Sequence, residues 1–80
     1  MTTTDVEHHP LAWHRKSRLL SQRDLERMLG THHSTTIFTI ESGKNVPRLK
    51  TMRRICEALS VDWRQVDEFR DAMAAQGVQG

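Results

Sequence analysis

The sequence predicts a compact all-α domain, and two observations support that prediction. Apolar residues recur at helical spacing, as at Leu25, Met28 and Leu29, which lie three and four residues apart. No segment alternates apolar and polar residues over a length that would form a sheet strand. With 80 residues, one domain is expected. We place it at residues 10–76, between a flexible N-terminal arm at 1–9 and a tail at 77–80.

Local signals set the bounds of the first two helices. Pro10 suits the first turn of a helix that ends near Arg18, because a proline has no N–H to leave unpaired. Ser21 is an N-cap whose hydroxyl can accept a hydrogen bond from the N–H of Asp24. Gly30 ends the second helix because glycine adopts a positive φ without strain.

Three further helices follow. The third is predicted to begin at His33 or Ser34 and to end by Ser42, with Ile37 and Ile40 facing inward. Its β-branched residues give it a poor intrinsic propensity, so packing must hold it. The fourth follows Pro47, and its apolar stripe comprises Leu49, Met52, Ile55, Cys56 and Leu59. The fifth opens at Asp62 and extends to about Ala75, with an apolar stripe of Trp63, Val66, Phe69 and Met73.

Charge is distributed unevenly along the chain. The net charge is +2, but residues 11–54 carry ten Lys or Arg against three Asp or Glu, whereas residues 55–80 carry two against five. A basic centre indicates a polyanionic partner for that part of the chain. An unevenly charged, solvated surface explains the same pattern, and charge alone does not decide between the two.

Several classes of protein are excluded by composition. Cys56 is the only cysteine, so no internal disulfide can form, which fits a reducing compartment. No apolar run approaches the ~20 residues that span a bilayer, and residues 1–10 have no signal-peptide pattern. We therefore expect a cytoplasmic protein with no membrane contact.

Catalytic and metal chemistry find no support in the sequence. Cys56 has no neighbouring base, and no paired carboxylates or phosphate-binding glycine loop occur. The histidines include adjacent pairs, which cannot easily ligate one ion, and no CxxC or HxxxH spacing is present. We expect no enzyme activity, no cofactor and no metal.

The second and third helices, joined by a short turn that contains a glycine, make a helix-turn-helix arrangement. In such a pair the second helix lies in the major groove of DNA, so it needs apolar residues inside and short polar ones outside. Ile37 and Ile40 supply the inner face. The outer hydroxyls come from Ser34, Thr35, Thr36 and Thr39. These hydroxyls can discriminate bases, although a capping cluster on a solvated face is the alternative.

Several fragments in order carry a family resemblance: "LSQRDLERMLG", "TIESGKNVP", "LKTMRRICEALSV" and "VDW". Together they resemble the helix-turn-helix domain of lambda-repressor and Cro-like regulators, the XRE-type family, over roughly residues 11–66. The resemblance implies a five-helix domain that binds double-stranded DNA, usually as a homodimer on an inverted repeat. It further implies a sequence-specific transcriptional regulator, and we expect a small repressor of the phage, plasmid or toxin–antitoxin type.

The resemblance assigns roles to individual residues. The base-reading positions it implies are Ser34, Thr35 and Thr39, to which we add Phe38. The phosphate-contacting positions are Gln22, Lys44 and Asn45, with Arg48 close enough to join them. Arg15 and Glu41 match a structural ion pair that ties the first helix to the end of the third.

The chain departs from the family pattern at several points. Glu41 lies eleven positions after Gly30 where ten is usual, so one residue is inserted in the turn. Leu19 stands where a glycine is typical, and Phe38 where a polar residue is typical. Four roles stay open for Phe38: contact with a thymine methyl, a wedge beside a sugar, a protein interface, or partial burial caused by the insertion.

The end of the fifth helix lies beyond the minimal domain, so Phe69 and Met73 are predicted to face a partner. Acidic residues flank them, which would keep this surface away from DNA. We expect a homodimer surface or a docking surface for another protein here. The alternative function is therefore a protein-interaction module on the same fold, which binds a host protein such as a polymerase subunit or a toxin through this helix or the Phe38 face.

Overall fold

The computed structural model describes residues 6–30 and 35–77. Its helices are α1 (Leu11–Ser17), α2 (Gln22–Met28), α3 (Thr36–Glu41), α4 (Leu49–Leu59) and α5 (Asp67–Ala75), with a 3-10 helix at Trp63–Gln65. No strand occurs in the described ranges, although His9 and Val66 form one isolated parallel bridge. The predicted all-α, five-helix class is confirmed.

All five helices contribute to a single apolar core. Its buried side chains are Leu11, Leu25, Leu29, Ile37, Ile40, Met52, Ile55, Leu59, Val66, Phe69 and Ala72. Full burial of one aliphatic or aromatic side chain is worth about 1.5–3 kcal/mol. For α3, which has only six residues, the burial of Ile37 and Ile40 supplies what its poor propensity lacks.

The start of α2 is fixed by a reciprocal pair of hydrogen bonds. The Ser21 hydroxyl accepts from the N–H of Asp24 at 3.0 Å, as predicted, and the Asp24 carboxylate accepts from the N–H of Ser21 at 2.9 Å. The backbone N–H and then the hydroxyl of Ser21 lower the pKa of Asp24, and the charge of Arg27 adds to the effect. Because this pKa is lowered on folding, the carboxylate stabilises the fold above its ordinary pKa and loses that effect as the pH falls through the lowered value.

The turn after α1 holds a leucine in a conformation that favours glycine. Leu19 has a φ of 59°, and its side chain is 91% exposed. The N–H of Leu19 bonds to the carbonyl of Lys16, and the N–H of Leu20 bonds to that of Arg15, which is the Schellman arrangement. The backbone of Leu19 is therefore strained, and its exposed side chain gains no packing in return.

Replacing Leu19 with glycine should stabilise the fold by about 0.5–1 kcal/mol, since relief of left-handed strain exceeds the entropy cost of glycine. Urea unfolding followed by circular dichroism measures the change. Leu19→Ala is the matched control, because it removes the side chain but keeps the strain. Equal stability of the two variants would contradict the explanation.

The fifth helix begins later than the sequence predicted. Asp62 caps the 3-10 helix instead, by accepting from the N–H of Arg64 at 2.9 Å. Val66 is then extended, with φ −115° and ψ 117°, because it pairs with His9. Only after this break does α5 run from Asp67 to Ala75.

The break turns Phe69 inward. Its side chain is fully buried with Val66 and Ala72, which lie three residues away on either side. The prediction that Phe69 faces a partner was therefore wrong. Met73 is half-buried and packs against the edge of the core.

The segment before α1 is tied to the start of α5. The N–H of His9 donates to the carbonyl of Gln65, and the N–H of Asp67 donates to the carbonyl of His9, both at 3.0 Å. The His9 ring also stacks on Trp13, with ring centroids 3.8 Å apart. Of the flexible arm predicted at 1–9, residues 1–5 lie outside the described part of the chain, and the end of the arm is held in place.

A buried histidine strengthens the same junction. His14 is 4% exposed, and its Nε2–H donates to the carbonyl of Gln65 at 2.5 Å. The carboxylate of Glu68 accepts from the N–H of Leu11 at 2.8 Å, so it caps α1 from α5. Contacts distant in sequence therefore fix where both helices begin.

Burial raises the pKa of the Cys56 thiol to about 11, and the negative charges of Asp62 and Glu57 add to the effect. From a reference pKa of 9.0, this shift leaves about a hundredfold less thiolate near pH 8. Alkylation by iodoacetamide should accordingly be about a hundredfold slower in the folded protein than in urea. Equal rates in the two conditions, read by mass spectrometry, would contradict the burial of this thiol.

Candidate nucleic-acid interface

Helix α3 has an apolar inner face and a polar outer face. Ile37 and Ile40 are buried, at 0% and 2% exposure. The outer face comprises Thr35, Phe38, Thr39 and Ser42, which are three or four residues apart and so lie on one side of the helix. Ser34, also predicted to read bases, lies outside the described residues. Of the hydroxyl residues that the sequence assigned to DNA contact, Thr35 and Thr39 thus share this outer face, whereas Thr36 lines a neighbouring cleft.

The first turn of α3 is held by a residue that the sequence reasoning missed. Glu26 on α2 is 4% exposed, and its carboxylate accepts from the N–H of Ile37 at 2.7 Å. A carboxylate at this end of a helix satisfies an unpaired N–H and suits the helix dipole. The available signal was the position of Glu26 beside Leu25 and three residues before Leu29, on the apolar face of α2.

The turn at the end of α3 sets the direction of the loop that follows it. The N–H of Gly43 bonds to the carbonyl of Ile40 at 3.1 Å, and that of Lys44 bonds to the carbonyl of Thr39 at 3.0 Å. Gly43 has a φ of 75°, which this Schellman turn requires. Lys44 and Asn45 are exposed immediately after the turn. Two predicted phosphate-contacting residues therefore lie next to the outer face of α3.

A buried ion pair fixes the orientation of α3 relative to α1. Arg15 donates from Nε and a terminal nitrogen to both carboxylate oxygens of Glu41, at 2.8 and 3.1 Å. Its other terminal nitrogen donates to the carbonyl of Leu20 at 2.8 Å. The two side chains are only 9% and 10% exposed, so water screens the pair weakly. Paired planar groups in this geometry leave α3 little freedom to turn.

Gln22 joins the same network. Its side-chain amide donates to Glu41 at 2.9 Å, which links the first residue of α2 to the last residue of α3. The sequence assigned Gln22 to a phosphate, and this contact orients the amide beside the end of α3. Arg54 joins α4 to the end of α2, because its guanidinium donates to the carbonyl of Leu29.

A polar cleft of about 390 Å³ opens between α3 and the start of α4. Its lining includes Thr36, Thr39, Asn45, Arg48 and Thr51. It brings together Thr39, predicted to read bases, with Asn45 and Arg48, predicted to contact phosphates. Thr36 and Thr51 add further hydroxyls to the lining, and the sequence had not assigned Thr51 any role.

Phe38 and Lys44 form a separate pair on the outer face. The Phe38 side chain is 47% exposed and is not among the residues packed against the core. The Lys44 ammonium lies over its ring, 5.4 Å from the centroid, which is within cation–π range. Of the roles left open for Phe38, partial burial in the core is therefore the one the structure does not support.

Two short helices in contact, α2 and α3, with a polar outer face on the second and a loop that carries Lys44 after it, define a DNA-binding helix-turn-helix regulator. A family model described as helix-turn-helix matches residues 11–66, more than half of the chain. The chain belongs to this family, the XRE-type or lambda-repressor-like helix-turn-helix proteins. No curated protein and no solved structure matches it. Within the described ranges, no helix has the length and apolar character needed to cross a bilayer.

Proposed function

We propose that this protein is a sequence-specific transcriptional repressor of the small phage, plasmid or toxin–antitoxin type, acting on DNA in the cytoplasm. It inserts α3 into the major groove and blocks polymerase at the bound site. The observation that carries the proposal is the outer face of α3, whose threonines adjoin a cleft lined by Asn45 and Arg48.

Thr35 and Thr39 are the proposed base readers, with Ser34 added on the resemblance alone. The Thr39 hydroxyl donates to the carbonyl of Thr36 at 2.9 Å, so it meets a base as an acceptor and presents its methyl group. Thr35 is exposed and caps α3 through its carbonyl, which accepts from Thr39 at 2.9 Å. Both can therefore contact base edges without loss of the helix.

Gln22, Lys44, Asn45 and Arg48 are the proposed phosphate contacts. Gln22 lies at the start of α2, where its amide contacts the last residue of α3, and the other three lie in the loop between α3 and α4. Phosphate contacts set the register of the protein on DNA, whereas base contacts supply the specificity.

Affinity should depend steeply on salt, because each neutralised phosphate contributes a log–log slope of about −0.9. Arg48→Ala should make the slope shallower by about 0.9 and weaken binding to all duplexes alike. Arg64→Ala is the matched control, since Arg64 is exposed on the 3-10 helix over Trp63, in the acidic third of the chain. Fluorescence anisotropy at several salt concentrations gives both slopes. An unchanged slope for Arg48→Ala would remove this residue from the interface.

The homodimer is proposed at an apolar groove between α4 and the 3-10 helix, with Met73 near the end of α5. The groove has a volume of about 330 Å³ and is lined by Leu49, Met52, Arg53, Cys56, Val61, Asp62, Trp63 and Met73. Leu49 is 54% exposed, and exposed apolar surface commonly marks a partner site. Met73 therefore remains a proposed partner-facing residue, whereas the buried Phe69 does not.

Selection of DNA from a random pool by the purified protein at moderate salt tests the proposed function. We expect an enriched inverted repeat whose half-sites are about 34–36 Å apart, or a multiple of that distance, because a dimer places two reading helices in successive grooves. Salt-sensitive binding with no enriched sequence would contradict specific recognition.

The second candidate is a protein-interaction module on the same fold. The 47% exposure of Phe38 favours it, because an aromatic side chain on an outer face often anchors a protein interface. The partner would be a polymerase subunit or a toxin, bound through this face or the C-terminal helix. Absence of an enriched sequence, together with a partner whose binding Phe38→Ala abolishes, would support this candidate over the first.

A further inference from the structure

We propose that Phe38, positioned by Lys44, reads the C5-methyl group of a pyrimidine in the major groove. The protein would then distinguish thymine from uracil, and 5-methylcytosine from cytosine, at one position in each half-site. This inference rests on the proposed function, because it requires α3 to lie in the groove.

The chemistry of the Phe38 ring restricts what it can recognise. A phenylalanine ring offers no hydrogen bond to a base edge. In the major groove, the C5-methyl of thymine is the apolar group among otherwise polar edges. Phe38 shares its outer face with the hydroxyl residues Thr35, Thr39 and Ser42, so an apolar contact there complements polar ones. A methyl group is therefore the ligand that this side chain fits.

Lys44 holds the ring in an outward position. Its N–H bonds to the carbonyl of Thr39 at 3.0 Å in the Schellman turn. The carbonyl of Phe38 accepts from the N–H of Ser42 at 2.9 Å in the last turn of α3, so the backbones of Phe38 and Lys44 are fixed relative to each other. The ammonium over the ring, 5.4 Å from its centroid, covers one face. The other face and the ring edge are then available for contact with the base.

The same contact makes binding sensitive to cytosine methylation. A 5-methylcytosine presents its methyl group at the position where thymine does, so the ring cannot tell the two methyl groups apart. Where the contacted base is cytosine, methylation should restore the apolar contact. Burial of one methyl group corresponds to about fourfold in affinity.

The test uses the duplex selected by the protein, with each thymine replaced singly by uracil. Wild-type protein should lose about fourfold at one position per half-site, and Phe38→Ala should show no such loss there. With a cytosine placed at that position, 5-methylcytosine should bind about fourfold more tightly than cytosine, again only with Phe38 present. Phe38→Leu keeps an apolar group and should retain part of the methyl dependence. Thermal melting checks that both variants fold.

The role of Lys44 is tested by the thymine-to-uracil ratio, which is the affinity for the thymine duplex divided by the affinity for the uracil duplex. A lysine with only a structural or phosphate-binding role would leave this ratio unchanged when it is replaced. Lys44→Arg retains a cation over the ring and should keep the ratio, whereas Lys44→Met should lower it. In the Phe38→Leu background, Lys44→Met should have no effect on the ratio.

Two results would overturn this inference and leave the proposed function standing. One is a selected sequence whose affinity does not depend on the methyl group at any position; the other is a thymine-to-uracil affinity ratio that stays the same in Phe38→Ala. Failure to select any sequence would remove both together.

Discussion

Replacing Glu41 with alanine should destabilise the fold by about 3–5 kcal/mol. The Arg15 guanidinium would lose both carboxylate bonds while it remains 7% exposed, and only the carbonyl of Leu20 would still accept from it. A domain of 80 residues has a total stability of roughly 4–12 kcal/mol, so this loss is a large fraction of it. Urea unfolding followed by circular dichroism measures the change.

An exposed pair provides the control for this prediction. Asp24 and Arg27 lie 3.9 Å apart with side chains 43% and 65% exposed, so Arg27→Ala should cost less than about 1 kcal/mol. Replacing Arg15 by methionine together with Glu41 by leucine should recover much of the loss, because no unpaired charge is left buried. A cost below 1 kcal/mol for Glu41→Ala would show that the pair does not hold α3.

Replacing Phe69 with alanine should also cost about 3–5 kcal/mol, because its side chain is fully buried and its removal leaves a cavity. Met73→Ala is the matched control on the same helix. Met73 is half-buried at the edge of the core, so its truncation should cost about 1 kcal/mol. The urea concentrations at the unfolding midpoints of the two variants give a direct comparison of their stabilities.

Sedimentation of the same variants separates a core role from a partner role for Phe69. We expect Phe69→Ala to unfold more readily whatever its state of association. A folded Phe69→Ala protein with wild-type stability but altered mass would restore the partner-facing interpretation that its burial overturned.

Signals that act within a few residues could be predicted from the sequence. The capping box at Ser21, the ends of two helices at Gly30 and Gly43, and the inward side of α3 at Ile37 all depend on local spacing. The class of fold follows from these signals. The ion pair between Arg15 and Glu41 is separated by 26 residues, and it was expected only because of the family resemblance.

Contacts between distant segments could not be predicted in the same way. Val66 is extended because it pairs with His9, 57 residues away, and this break decides that Phe69 faces the core. A hydrophobic stripe alone does not show that a helix begins four residues late. Such a delay places Phe69, predicted to face a partner, in the core, whereas Met73 stays at its edge.

The same distinction applies to the candidate site: features set by local spacing could be predicted, and features set by distant contacts could not. The outer threonines of α3 follow from helical period once Ile37 and Ile40 are placed inside. The polar cleft between Thr39 and Arg48, and the Lys44 ammonium over Phe38, depend on the path of the loop after α3. That path is set by the left-handed Gly43 and by the packing of α4, which the sequence pattern does not specify.

The central claim is that the outer face of α3 reads DNA sequence. The most direct measurement compares wild-type protein with Thr35→Ala/Thr39→Ala on the selected duplex and on a shuffled duplex of equal length, over several salt concentrations. We predict that the variant loses about tenfold or more on the selected duplex, with unchanged affinity for the shuffled one and an unchanged salt slope. A variant that keeps the wild-type ratio between the two duplexes would contradict the claim that these threonines read bases.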